Sequence, residues 1–209
     1  MSESPSCCSL SFVTSRPENA ATRDSMLDAA RSLIAEIGYA DMSHADITAA
    51  VGMGRTTFYE HFSSKEDLLV ELVRRDLPPL TVDLVASIDP DRAPDERLRE
   101  LSVKMVAFVG TDHLGLILHT EVPRLSGEAQ RAIASAHGGV AGEFASVYRS
   151  GVEQGIFREM PGHLVGRMMD AIIMTGGRVV MDSADPGTEV MAIAEATADI
   201  LVAALRTQN

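Results

Sequence analysis

Disulfide chemistry is the first thing this chain lacks: its two cysteines, Cys7 and Cys8, are neighbours in the Ser-rich opening stretch MSESPSCCSLSFVTSRPEN. Adjacent cysteines cannot staple distant elements, and with no partner Cys or His in sequence reach they read as solvated thiols. Tryptophan is absent and aromatics are only 4% of residues against 45% hydrophobic overall, so the core must be aliphatic, with 11 methionines to fill it. No run of about 18 apolar residues exists, so no membrane span is expected. The start carries Glu3 where a secretory signal needs basic residues, and Leu10, Phe12 and Val13 are too few for its apolar region. A soluble, cytoplasmic protein is therefore expected. Enzyme signatures are missing too: there is no nucleophile with a base at a recognisable spacing, no Gly-rich phosphate loop and no zinc motif. His113 and His119, with Glu121 nearby, are not at the i, i+4 spacing that puts two metal ligands on one helical face. No catalytic activity, metal or cofactor is expected.

Positive charge is also in short supply, 18 Lys and Arg against 30 Asp and Glu, for a net charge of −12. What the chain does have is helical periodicity throughout, with no sustained β alternation and no internal repeat, so the fold class is all-α. Residues 1–21 read as a disordered tail. From Thr22 and Asp24 a first helix carries Leu27, Ala30, Ile34 and Ile37 to a stop at Gly38. Ser43 with Asp46 resembles a capping box opening a short second helix through Val51. Gly52-Met53-Gly54 make a turn, and a third helix runs from Arg55 to His61 with Phe58 and Phe62 inward. Ser63 and Glu66 supply a second capping box for a fourth helix, which Pro78-Pro79 must kink or break. That break divides a helix-turn-helix head at 22–77 from a helical body at 78–209. In the body, helices are expected around Asp95 to Val109, Asp112 to Thr120, Ser126 to Gln154, His163 to Met181 and Thr188 to Thr207.

Helix, glycine turn and second helix over residues 43–62 form the layout that lays a short helix into the DNA major groove. The combination of Thr57-Phe58-Tyr59-Glu60-His61-Phe62 with Ser64-Lys65-Glu66-Asp67-Leu68, preceded by Ala29-Ala30, Leu33, Gly38 and Ile47, resembles the TetR family of bacterial regulators. The resemblance covers roughly a quarter of the chain. It implies a homodimer whose C-terminal domain binds a small ligand that releases the DNA. Gly54 departs from the family, which often has a capping Ser or Thr there, and Glu60 puts a carboxylate on the recognition helix. Arg55 can fork to guanine or clamp phosphate, and Thr56 and Thr57 are short polar readers beside it. Tyr59 and His61 lie outward, and by resemblance the Tyr meets the phosphate backbone. Lys65, at the start of the fourth helix, is expected to seat a phosphate, with Ser43 and His44 a second seat. Counting Arg55, Lys65 and Arg23 from each subunit gives about six neutralised phosphates and a log-log salt slope of roughly −5.

The last two helices carry Val190, Ile193, Thr197, Ile200 and Ala204 on one stripe and Gly166, Ala171, Gly176 and Gly177 on the other. They are expected to form a four-helix dimer interface. Met105, Phe108, Leu116, His119, Phe144, Tyr148, Met168 and Ile172 are candidates to line a pocket for a mainly apolar small molecule, with His119 or Tyr148 as polar anchors. The function expected is a ligand-responsive regulator, most naturally a repressor bound to a palindromic double-stranded DNA operator. The alternative is a helical small-molecule carrier or an interaction protein without DNA binding.

Overall fold

The computed structural model describes residues 16–136 and 138–207, with the backbone alone for Arg16, Pro17, Glu18, His113, Leu116 and His119. Cys7 and Cys8 lie outside the described residues. The order is α1 (Arg16–Ile37), α2 (His44–Ala50), α3 (Arg55–His61), α4 (Lys65–Ala86), α5 (Pro94–Thr111), α6 (His113–Thr120), a 3₁₀ turn (Val122–Arg124), α7 (Gly127–Ala136), α8 (Gly138–Glu153), α9 (Gly162–Met181) and α10 (Pro186–Leu205). Among the described residues the only β-type pairing is one isolated bridge, Phe157 with Arg206.

Local chemistry explains most of these boundaries. α1 starts at Arg16, six residues before the expected Thr22, since Pro17 is tolerated in a first turn and Ala20-Ala21 favour helix. It ends at Gly38, whose φ of 83° an L side chain rarely adopts. The turn between α2 and α3 uses Gly52 in the same way, at φ 69°. α2 opens with the expected capping box. For α4 the cap is Ser64, not Ser63: its side chain accepts from Asp67 N at 3.0 Å, while Asp67 Oδ2 accepts from Ser63 N at 2.9 Å.

Pro78 and Pro79 do not break α4, which runs through them to Ala86. Leu77 and Thr81 on either side are buried, Thr81 Oγ1 donates to Pro78 O at 2.9 Å, Leu77 shares an apolar cluster with Ala129 and Ile133, and α4 as a whole packs on α7 and α8. Tertiary contacts thus outweigh the lost backbone donors. The single long helix expected from Ser126 is instead described as α7 and α8, with Ser126 capping the first by accepting from Ala129 N at 3.2 Å.

Two apolar cores result, and they do not follow the expected division at residue 78. One gathers Leu27 of α1, Ile47, Phe58 and Leu69 of the head with Leu114 and Ile117 of α6 and Ala129 and Ile133 of α7. The other joins Ile88 and α5, α8, α9 and α10. Phe108 of α5 packs against both.

Candidate nucleic-acid interface and ligand cavity

With about 100° between successive residues, α3 sorts its seven side chains into two faces. Phe58 is fully buried and Thr57 and His61 are half-buried beside it, while Arg55, Thr56, Tyr59 and Glu60 are exposed. Arg55 and Glu60 make no hydrogen bond or ion pair among the described residues, so the outward face presents both a guanidinium and a carboxylate. Behind it, the ring of His44 lies 4.4 Å from Phe58 and its Nδ1 is 3.5 Å from Tyr59 Oη. His44 Nε2 is buried without a partner. Burial first, then the charges of Arg55 and Lys65, pull the His44 pKa below 6.5, which keeps the ring neutral at neutral pH. Ser43 is committed to the cap of α2: its N and Oγ donate to Asp46 Oδ2 at 2.8 and 2.7 Å. Those bonds hold the Asp46 carboxyl below the usual carboxylate range.

Lys65 does something other than wait for a phosphate. Its ammonium donates to three backbone carbonyls of the α1–α2 turn, Tyr39 at 2.7 Å, Ala40 at 3.2 Å and Met42 at 3.0 Å, and lies 4.4 Å from the centre of the Tyr39 ring. An ammonium has three donors, and here all are engaged. Burial lowers the Lys65 pKa, with Glu121 and Asp41 opposing. Tyr39 in turn is pushed up to about 12 by burial and by the carboxylates of Glu66 and Glu121. Arg23 is engaged as well, paired with Glu71 and stacked 5.2 Å from the centre of the Phe62 ring.

The body holds a partly open cavity of about 1480 Å³, beyond the usual range of about 300–1,000 Å³ for small-molecule sites. Its inner wall is apolar, with Met105 of α5, Ile133 of α7, Phe144 of α8 and Val165, Met169 and Ile173 of α9. Charged side chains of both signs stand around it, Arg124, Arg149 and Arg178 with Glu153, Glu159, Asp170 and Asp182.

Residues 26–72, from the buried Met26 through the whole of α2 and α3 to Leu72, match the family model described as bacterial regulatory proteins, tetR family. Over these residues the chain matches the TetR family. The likeness to TetR-family proteins extends beyond the head. The HTH-type transcriptional repressor KstR2 of Mycobacterium tuberculosis is 28% identical over 144 residues, 65% of this chain and 69% of that protein. Among solved structures, FadR from Bacillus subtilis in complex with stearoyl-CoA superposes with a TM-score of 0.72 at 22% identity, covering 88% of this chain and 99% of FadR. A transcriptional regulator from Saccharomonospora viridis in complex with choline gives 0.71 at 25% identity, covering 90% of this chain and 100% of that one.

The residues read from sequence divide unevenly between the two sites. Arg55, Thr56 and Tyr59 share the outward face, while Thr57 and His61 sit on its flank. Met105, Phe144 and Tyr148 line the cavity, as do Met169 and Ile173 in place of Met168 and Ile172. The inward stripe of α9 is Val165, Met169 and Ile173, at steps of four, one residue away from the expected register. Phe108 packs between the two cores and is not among the lining residues. Tyr148 cannot serve as a free polar anchor, because its hydroxyl donates to Arg158 O at 2.9 Å and accepts from Met160 N at 3.0 Å. The side chains of Leu116 and His119 lie outside the described residues. Gly176 and Gly177 prove to be contacts within the chain: an added Cβ would meet Thr197 Oγ1 at 2.6 Å and Val109 Cβ at 2.7 Å respectively.

Proposed function

We propose that this chain is a repressor that grips a palindromic operator as a homodimer and releases it when a large, mainly apolar small molecule enters the body cavity. The observation that carries the reading is a shared wall. Ile133 of α7 lines the cavity and also belongs to the head's core. At the start of the same helix, Ser126 donates to Glu66 Oε1 from its N, at 3.2 Å, and from its Oγ. Glu66 lies in the first turn of α4, next to Lys65, which ties α4 to the turn leading into α2. A ligand that displaces α7 therefore pulls on the mount of the reading helices. A hundredfold preference of ligand for the released state, about 2.7 kcal/mol, is enough to shift occupancy.

In the DNA-bound state Arg55, Thr56 and Tyr59 face the groove, and Thr57, His61, Ser43, His44 and the first turn of α4 lie along its edges. The exposed apolar side chains Leu164 and Val179 of α9 and Met191 and Ile200 of α10 support pairing through the last two helices. An apolar interior ringed by charge favours an amphiphile as effector, a long or fused apolar body with one polar end. Among the described residues no helix is long and apolar enough to cross a membrane; the role itself requires access to the genome, and so the cytoplasm.

The test is selection of bound fragments from random DNA by the purified protein, followed by titration of the selected site with stearoyl-CoA and other amphiphiles. An enriched palindrome whose affinity falls about a hundredfold with one of these ligands supports the proposal. A ligand that binds tightly and leaves operator affinity unchanged removes the effector role, and no enrichment at low salt favours a carrier or interaction protein.

A further inference from the structure

The carboxylate on the recognition helix calls for an account, because every phosphate it approaches repels it. Glu60 is exposed, one helical turn beyond Thr56 and on the same outward face as Arg55 and Tyr59. It has no hydrogen bond or ion pair among the described residues, although Arg55 stands on the same short helix. The head can ill sustain an idle negative charge there: residues 22–77 hold six basic and ten acidic groups, and the cations of Arg23 and Lys65 are occupied internally.

We infer that Glu60 is a specificity-determining residue, which reads the exocyclic amino group of a cytosine in the operator's major groove. This rests on the DNA-binding reading above. An ionised carboxylate only accepts hydrogen bonds. In the major groove guanine presents N7 and O6 and thymine presents O4, all acceptors, so both reject it. Adenine offers N6 but sets the N7 lone pair beside it. Cytosine offers its N4 amino group with a C–H on one side and the paired guanine O6 on the other, whereas adenine N6 has an acceptor on both sides, so cytosine gives the carboxylate its least repelled donor. The charge thus penalises binding to arbitrary DNA and is compensated where cytosine sits. Five residues separate Arg55 from Glu60, about 7.5 Å along the helix axis, or roughly two base steps of about 3.4 Å. A guanine read by Arg55 and a cytosine read by Glu60 are therefore expected about two steps apart in each half-site.

Sites selected from random DNA by the wild-type protein, Glu60→Gln and Glu60→Ala decide the matter. The wild type should prefer cytosine about tenfold at one position of each half-site. Glu60→Gln should move that position to adenine, since an amide matches N6 and N7 together. Glu60→Ala should lose preference there alone and bind non-specific DNA more tightly. A motif that Glu60→Ala reproduces base for base overturns the inference, whatever happens to overall affinity, and leaves the regulator standing. If the wild type enriches nothing, the DNA-binding reading falls and this inference with it.

Discussion

Lys65 has a sequence position suited to a phosphate and a fold that gives it three carbonyls instead. Replacing it by Met keeps the length of the side chain and removes the charge-assisted bonds. We expect Lys65→Met to lower stability by about 2 kcal/mol in urea unfolding, with DNA affinity per folded molecule little changed. Unchanged stability with weakened DNA binding would return Lys65 to the phosphate. Because Arg23 is also engaged, Arg55 is the one of the three counted cations left to meet the DNA, two per dimer, and a guanidinium in the groove displaces counterions much as one on a phosphate does. The log-log salt slope of the operator complex should then be near −2 rather than −5, measurable by fluorescence anisotropy across salt concentrations. His44 gives a pH prediction. Its folded pKa lies below the ordinary 6.5, so as pH falls the unfolded chain takes up the proton first. Stability from this residue is complete above 6.5, is lost as pH drops from there to the lowered value, and then levels off. His44→Gln should remove that component from the pH dependence of urea unfolding.

Helices show where sequence is legible and where it is not. The Ser43–Asp46 box spans one turn, so its donors and acceptors can be paired from spacing alone. At Ser63-Ser64-Lys65-Glu66-Asp67 two serines each have a carboxylate three residues on, and only the backbone decides between them. The continuity of α4 through two prolines was out of reach because its cause lies in α7 and α8, far along the chain. α9 is apolar on two sides, facing the cavity with Val165, Met169 and Ile173 and solvent with Leu164 and Val179, so periodicity alone could not choose the inward register. The carbonyl partners of Lys65 are hidden from sequence in the same way, since they lie 23 to 26 residues away. At the crossing of α5 and α9, Gly110 and Gly177 meet, and a Cβ on Gly177 would lie 2.7 Å from Val109 Cβ. Gly177→Ala should cost about 1–3 kcal/mol by forcing the helices apart. Gly142→Ala, in α8 with nothing within 4 Å of the added carbon, should instead gain about 0.5–1 kcal/mol. Thermal unfolding of the two variants checks both signs.

Considered whole, the molecule leaves an apolar strip uncovered where α9 and α10 lie side by side, with Ile200 63% exposed. Ile200→Glu places a charge on that strip. Sedimentation should report a folded monomer, and operator binding should weaken by at least tenfold, because one head cannot hold both half-sites. A molecule that remained dimeric would move the interface elsewhere. The two cores carry a different consequence. The chain leaves the first core near the end of α4, builds α5 in the second, returns with α6 and α7 to the first, and departs again with α8. A chimaeric regulator spliced at the proline pair would therefore strand α6 and α7 against a foreign head, with Leu114, Ile117, Ala129 and Ile133 facing a surface they were not shaped for. Recombination that transplants DNA specificity with its core intact must carry two segments, α1–α4 and α6–α7, or exchange only the outward face of α3.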